Sequence, residues 1–200
     1  MKRSAQLTVL AALTACAVAT SGYPAGATWF GFSPFSRVVD ATFDLASGTR
    51  LEVRTSSFDL TLVPDSGSTL RVHGTVRGWS RTALDGVSVT RRRVDGRTIV
   101  SIDKPAGAFT HIAGGRFTLH VPRVSALDVA SSSGNVTVAD LNAPLGIRAQ
   151  SGDVLVDRAL GPVSVMNSSG DVVVDRAMPG CARRPTAVTC ARGTSSGRCR

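Results

Sequence analysis

Carboxylate and amide side chains recur at a fixed interval in the C-terminal half of the chain. Asn135, Asp153 and Asp171 are 18 residues apart, and a glycine precedes each of them. Oxygen ligands of this kind bind Ca²⁺, and calcium-binding β-rolls carry them in a Gly-Gly-x-Gly-x-Asp nonapeptide. This chain lacks the glycine pair, and its Asp-bearing turn recurs every 18 rather than every nine residues. We therefore interpret these side chains as turn caps, and we predict no metal site and no cofactor.

The remaining groups that could do chemistry show no catalytic pattern. Glycan-cleaving enzymes need two carboxylates at a defined separation, whereas the acids here fall in regular rows at turns. His73, His111 and His120 lack metal-ligand spacing, and the chain has no Gly-x-Ser-x-Gly motif. We predict no catalytic residue and a protein that is not an enzyme. A carbohydrate-active β-helix enzyme is the alternative that these residues disfavour.

The elements that carry these rows follow a nine-residue period. Six apolar-x-apolar pairs each begin nine residues after the one before, and the Ser-Gly-Asp or Ser-Gly-Asn turns recur at twice that interval. Because successive side chains of a strand point to opposite faces, each pair places two apolar side chains on one face. The pairs are Leu127/Val129, Val136/Val138, Leu145/Ile147, Val154/Val156, Val163/Val165 and Val172/Val174.

This period predicts an all-β fold. A three-residue strand cannot bury its apolar face alone, but equivalent strands stacked about 4.8 Å apart build a continuous core. Gly134, Gly152 and Gly170 suit turns that require positive φ. We predict a single-stranded β-helix or β-solenoid with about 18 residues per turn, and with Gly134, Asn135, Gly152, Asp153, Gly170 and Asp171 as its repeat turn residues.

The segment before the repeat is predicted to be irregular and partly antiparallel. Leu51/Val53 and Leu60/Leu62 echo the nine-residue spacing, with Phe58 in place of the turn glycine. Between about 73 and 123 the register is lost. Asp95-Gly96 is typical of a hairpin turn, and residues 117–121 form a further strand that ends at a proline.

These features resemble a known family, the bacterial putative-adhesin domain of unknown function. The resemblance rests on Gly48-x-x-Leu51-x-Val53, on Leu119-x-Val121-Pro122 and on the Ser-Gly-Asp/Asn-Val-x-Val units. It covers residues 40–177, with regular rungs at 124–177. It implies a single-stranded β-helix on an exported or membrane-linked protein, and it implies no reaction.

The N-terminus is typical of an export signal. Lys2 and Arg3 precede an apolar run of about 14 residues, which is shorter than a bilayer span, and a small-residue site ends at residue 27. We predict a signal peptide at 1–27. Residues 13–16 also resemble a lipobox, so Cys16 is a lipidation candidate and acylation would attach the protein to a membrane. Cleavage after Ala27 is the alternative.

Two further segments flank the predicted domain. Residues 28–39 are rich in aromatic side chains and form a linker or a cap. Residues 178–200 are basic and contain three cysteines without histidine or acidic companions. We predict that this tail is disordered or frameshifted, because a GC-rich back-translation read two bases along restores a Ser-Gly-Asp unit. Resequencing the gene would test the frameshift.

The charge distribution argues against nucleic-acid binding. The chain has a net charge of +9, but residues 28–177 carry only +2, because both ends are basic and free of acids. Phosphate binding needs a basic surface on the folded body. We predict an adhesin-like binding or scaffolding domain, secreted or held in the cell envelope as a lipoprotein, with an unidentified protein or glycan as its surface ligand. An envelope sensory or regulatory module with a protein partner is the alternative.

Overall fold

The computed structural model describes residues 35–107 and 111–175 and the backbone of residues 188–192. The described part consists of β-strands and a single short helix, which confirms the all-β class. The elements are β1 (Phe35–Asp44), β2 (Arg50–Thr55), β3 (Asp59–Pro64), β4 (Thr69–Gly78), α1 (Arg81–Asp85), β5 (Ser88–Val94), β6 (Arg97–Asp103), β7 (Ile112–Val121), β8 (Ala126–Ser133), β9 (Val136–Ala139), β10 (Leu145–Ser151), β11 (Val154–Asp157), β12 (Val163–Asn167), β13 (Val172–Asp175) and β14 (Val188–Arg192).

The strands form two mixed sheets. Sheet A has the order β1-β4-β7-β3-β9-β11-β13, and sheet B has the order β14-β12-β10-β8-β2-β6-β5. Buried and exposed residues alternate along most strands, because every second side chain points inward. The inward Val, Leu and Ile side chains of both sheets belong to one hydrophobic core.

The regular strands pair in parallel at the predicted interval of 18 residues. In sheet B, Leu145 of β10 lies between Leu127 of β8 and Val163 of β12. In sheet A, Val154 of β11 lies between its neighbours on β9 and β13 in the same way. The chain therefore alternates between the sheets. We call a sheet B strand and the sheet A strand that follows it a layer: β8–β9, β10–β11 and β12–β13.

The echo at residues 51–62 is a further layer in the same register. Leu51 of β2 faces Leu127, and Leu60 of β3 faces Val136. The fold thus places residues about 76 positions apart in direct contact, with 60 intervening residues looped out between Pro64 and Val124.

The prediction that register is lost between about 73 and 123 is wrong for two strands. β6 pairs in parallel with β2, and β7 pairs in parallel with β3. Thr98 faces Leu51, and Phe117 faces Leu60, so the equivalent positions are 19 rather than nine residues apart. A longer connection between β6 and β7 hides this layer from a search at fixed spacing. The β2–β3 layer therefore lies between β6–β7 and β8–β9.

Antiparallel strands complete one end, as predicted. β1 pairs with β4, and β4 pairs with β7. β5 and β6 form the predicted hairpin, in which Asp95 and Gly96 have φ values of 49° and 74°. Such positive φ at both central residues matches the right-handed twist of the strands. The sequence did not predict α1, which begins after Ser80, whose hydroxyl accepts a hydrogen bond from the Ala83 N–H.

Several predictions concern residues outside the described part. These are the signal peptide, Cys16, the aromatic residues before Phe35, and most of the tail. Within the tail, the backbone of Val188–Arg192 forms β14 and pairs in parallel with β12. A disordered tail is therefore wrong for those five residues, because their backbone hydrogen bonds are taken up by a neighbouring strand. Across the residues that the structure describes, no helix is long and apolar enough to cross a membrane.

Candidate ligand-binding groove

The predicted turn glycines stack on one another at the corner where each sheet B strand leads into sheet A. Gly134, Gly152 and Gly170 have φ values of 119°, 108° and 107°, which L-residues rarely adopt. A Cβ on Gly152 would lie 2.5 Å from the carbonyl oxygen of Gly134, and one on Gly134 would lie 2.5 Å from that of Phe58. Phe58 starts the stack and turns its ring into the core, where it is fully buried. Both backbone conformation and layer spacing therefore require glycine.

The predicted turn carboxylates and amide form a ladder beside the glycines. The backbone N–H of Asp171 donates to Asp153 Oδ1, and that of Asp153 donates to Asn135 Oδ1, each at 2.9 Å. The N–H of Asn135 in turn donates to Asp59 Oδ1 at 2.9 Å. Each side chain thus binds the backbone of the next layer. No group of three His, Cys, Asp or Glu side chains in the described part is placed to hold a metal ion.

Substitution of Asp153 separates its hydrogen-bonding role from its charge. We expect Asp153→Asn to unfold at nearly the wild-type urea concentration, because Asn135 makes the same contact with an amide oxygen. Asp153→Ala removes the acceptor for Asp171 N–H and should cost about 1 kcal/mol in the free energy of unfolding. Urea titration followed by circular dichroism measures both. An equal loss for Asn and Ala would mean that the charge, and not the acceptor, matters.

A second ladder contains the closest ion pair of the corner opposite the glycines. Arg158 donates from Nε and Nη2 to the two carboxylate oxygens of Asp140 at 2.5 and 2.7 Å. Asp157, which the sequence placed in a row with Arg158, lies farther away, at 3.5 Å. The guanidinium of Arg158 lowers the pKa of Asp140 by hydrogen bonding and by its charge. Sequence reasoning missed Asp140, although the 18-residue spacing between it and Arg158 was a usable signal.

The lowered pKa of Asp140 predicts a pH dependence of its contribution to stability. A carboxyl whose pKa is lower in the folded state stabilises the fold above its unfolded pKa and loses that effect as the pH falls through the folded value. We expect Asp140→Asn to unfold at lower urea than wild type at pH 7, and the difference to vanish below about pH 4. Asp103→Asn, a change at another exposed carboxylate, is the control. A difference that persists at pH 3 would contradict the ion-pair explanation.

A groove crosses four adjacent strands of sheet B at their C-terminal ends. It encloses about 560 Å³ and is formed by equivalent positions of β2, β8, β10 and β12. Four neighbouring strands at about 4.8 Å spacing give it a length of roughly 14 Å. Its lining residues are Arg54, Thr55, Ala130, Ser131, Ser132, Arg148, Ala149, Gln150, Met166, Asn167 and Ser168.

The groove lining is polar and carries positive charge without a carboxylate. Arg54 and Arg148 are both exposed. Arg54 Nε binds Glu52 Oε1 at 2.7 Å, whereas Arg148 has no ion-pair partner among the described residues. Ala130 lies in register between these two arginines, and its small side chain leaves a gap between them.

Buried polar side chains lie along the same positions. Thr55, Ser131 and Asn167 are 5%, 4% and 6% exposed, and they occupy equivalent positions on their strands. The Thr55 and Ser131 hydroxyls and Asn167 Oδ1 have no hydrogen-bond partner within the described part. Most buried polar groups in proteins are paired, so this cluster of three marks a place suited to further polar contacts.

None of the predicted turn residues lines the groove, and the sequence analysis singled out none of the residues that do. The signal was nonetheless present at the same 18-residue spacing. Ala130, Arg148 and Met166 share one register position, and Ser132, Gln150 and Ser168 share another. A smaller concavity of about 390 Å³ on sheet A is lined by Leu155, Asp157, Arg158, Val173 and Asp175, and it carries two carboxylates.

Comparisons with known proteins place the fold among bacterial surface proteins of remote sequence. A putative cell adhesion protein from Clostridium sporogenes superimposes with a TM-score of 0.48 at 10% identity, over 82% of this chain and 98% of that one. A putative adhesin from Parabacteroides merdae gives 0.33 at 9% identity, over 82% and 95%. A putative lipid binding protein from Parabacteroides distasonis gives 0.35 at 10% identity, over 68% and 65%. No family model and no curated protein matches the chain.

Proposed function

We propose that this chain is an exported, non-enzymatic β-solenoid that binds a ligand at the cell surface through its sheet B groove. The protein is an adhesin-like binding or scaffolding domain. The single observation that carries the proposal is the groove itself, in which four strands present equivalent polar positions without a carboxylate. A general acid or a carboxylate nucleophile, which glycan cleavage needs, has no candidate in that lining.

The solenoid assignment is supported by the register of the strands. Parallel pairing at intervals of 18 residues recurs in both sheets, and one corner of each turn carries the same glycine and the same ladder of side-chain oxygens. Each added turn repeats the outward positions of the one before. A groove across several turns is therefore a natural product of the repeat, and its length grows with the number of turns.

Export and anchoring are proposed from the N-terminal sequence. A basic start, an apolar run and a small-residue site direct the chain out of the cytoplasm. Acylation of Cys16 then holds the domain at a membrane face. Palmitate labelling of wild type and Cys16→Ser tests the anchor, since label on both proteins, or on neither, would contradict acylation at Cys16.

A steric block of the groove tests the binding function. Ala130→Trp fills the gap between the two arginines without changing any charge, and we expect it to abolish binding of the labelled full-length protein to bacterial envelope fractions. Thr137→Trp on the outward face of sheet A is the matched control. If both variants bind as wild type does, the groove is not the binding surface. Loss of binding after protease treatment of the envelope, but not after periodate, would favour the sensory or regulatory module with a protein partner.

A further inference from the structure

We infer that the groove takes a linear anionic glycan, that is, a chain of polyhydroxylated units bearing repeated carboxylate or phosphate groups. This inference rests on the proposed binding function and names the ligand class of the same site. The lining supplies two guanidinium groups and no carboxylate, so an anionic ligand meets no repulsion in the groove. Arginine binds carboxylate and phosphate in the same two-pronged geometry.

The shape of the groove fits a polymer rather than a compact ligand. It crosses four strands in a straight line, because the strands are in register and perpendicular to it. Arg54 and Arg148 are two strands apart, which separates their positions by about 10 Å. Two charges spaced along a groove bind repeated groups on one chain better than a single ion. Since Glu52 holds Arg54 at its Nε, Arg148 is the stronger anion contact.

The rest of the lining fits hydroxyl groups. Ser132, Gln150 and Ser168 are exposed and carry both donors and acceptors, at equivalent positions of three strands. Beside them lie the buried Thr55, Ser131 and Asn167 with unpaired oxygen atoms. An apolar ligand would leave all of these groups without partners, at a cost for each.

The lining also argues against two other ligands. It holds no aromatic side chain on which the apolar face of a neutral sugar could stack, so recognition depends on charge and hydrogen bonds. The same absence disfavours single-stranded nucleic acid, because proteins bind its bases largely by stacking on aromatic rings.

The inference is tested with the full-length protein and defined polymers. Polygalacturonate supplies carboxylates and poly(glycerol phosphate) supplies phosphates, while dextran and single-stranded DNA of similar length are the comparisons. We expect calorimetry to detect binding to at least one of the first two, weakened by salt, and none to dextran. Arg148→Ser should weaken that binding about tenfold, and Arg54→Ser combined with it about a hundredfold. Arg116→Ser, which removes an exposed arginine from sheet A, should leave it unchanged.

Each outcome decides between the ligand class and the wider function. Equal affinity for dextran, equal affinity for DNA, or an equal effect of Arg116→Ser would overturn the anionic-glycan inference. Binding to envelope fractions that Ala130→Trp abolishes, together with no binding to either anionic polymer, would overturn the ligand class and leave the binding domain in place. Absence of any envelope binding would overturn the proposed function itself.

Discussion

Gly152→Ala is expected to lower the free energy of unfolding by about 3 kcal/mol or more, enough to unfold much of a marginally stable population. Two effects add. The φ of 108° is unfavourable for any L-residue, and the new Cβ would lie 2.5 Å from the Gly134 carbonyl oxygen. That oxygen belongs to the backbone of the adjacent layer, so it cannot move without separating paired strands. Urea unfolding of the purified full-length protein, followed by circular dichroism, measures the loss.

Gly96→Ala separates the two contributions. Gly96 also has positive φ, at 74°, but a Cβ there would meet no atom within 4 Å. This variant should lose only about 1 kcal/mol, the cost of left-handed backbone for a residue with a side chain. Equal losses at the two positions would show that layer spacing contributes nothing. The comparison thus measures how tightly the corners are stacked.

Phe117→Ala is expected to cost about 3–5 kcal/mol in unfolding free energy. The ring is fully buried and packs against Phe58 at a centroid distance of 5.1 Å. These two aromatic side chains fill the interior where the antiparallel end meets the parallel layers. No small side chain nearby can expand to fill the space that the ring leaves, because its cross-strand neighbour is Gly74.

Gly74 provides a matched rescue. A Cβ on Gly74 would overlap the Phe117 ring, so Gly74→Val alone should be strongly destabilising. In the Phe117→Ala background the same valine occupies vacated space, and the double variant should be more stable than the sum of the two losses predicts. Additive losses would mean that the cavity collapses or stays open. Val173→Ala, at a side chain that is 44% exposed, should change stability by less than about 0.5 kcal/mol.

The parts of the fold that follow strict spacing could be predicted, because spacing is visible in the chain. The interval of 18 residues between Leu127, Leu145 and Val163 is also the register in which these residues pair. The hairpin at Asp95-Gly96 was equally predictable, since its turn chemistry is local. The β6–β7 layer was missed because backbone hydrogen bonds set its pairing, and these do not depend on the length of the connection between the strands.

The groove shows the opposite balance. Its individual residues, such as Ser132 and Gln150, have no unusual spacing to acids or to one another beyond the repeat itself. What makes them a candidate site is that Arg54 joins them from a layer 76 positions earlier in the chain than β8. A contact of that range depends on the position of the β2–β3 layer, and no local pattern encodes it. The turn residues were predictable because each of their contacts repeats along the coil.

The position of the β2–β3 layer between β6–β7 and β8–β9 also constrains how the chain reaches its native state. Strands β2 and β3 emerge first during synthesis, yet their neighbours on one side are about 50 residues later and on the other about 76. The molecule therefore cannot assemble by adding turns in the order of synthesis. Loops of this length must close before the early strands gain partners, which slows folding. For a chain that is threaded unfolded through a membrane, such a delay keeps the early segment extended until the later strands have followed it.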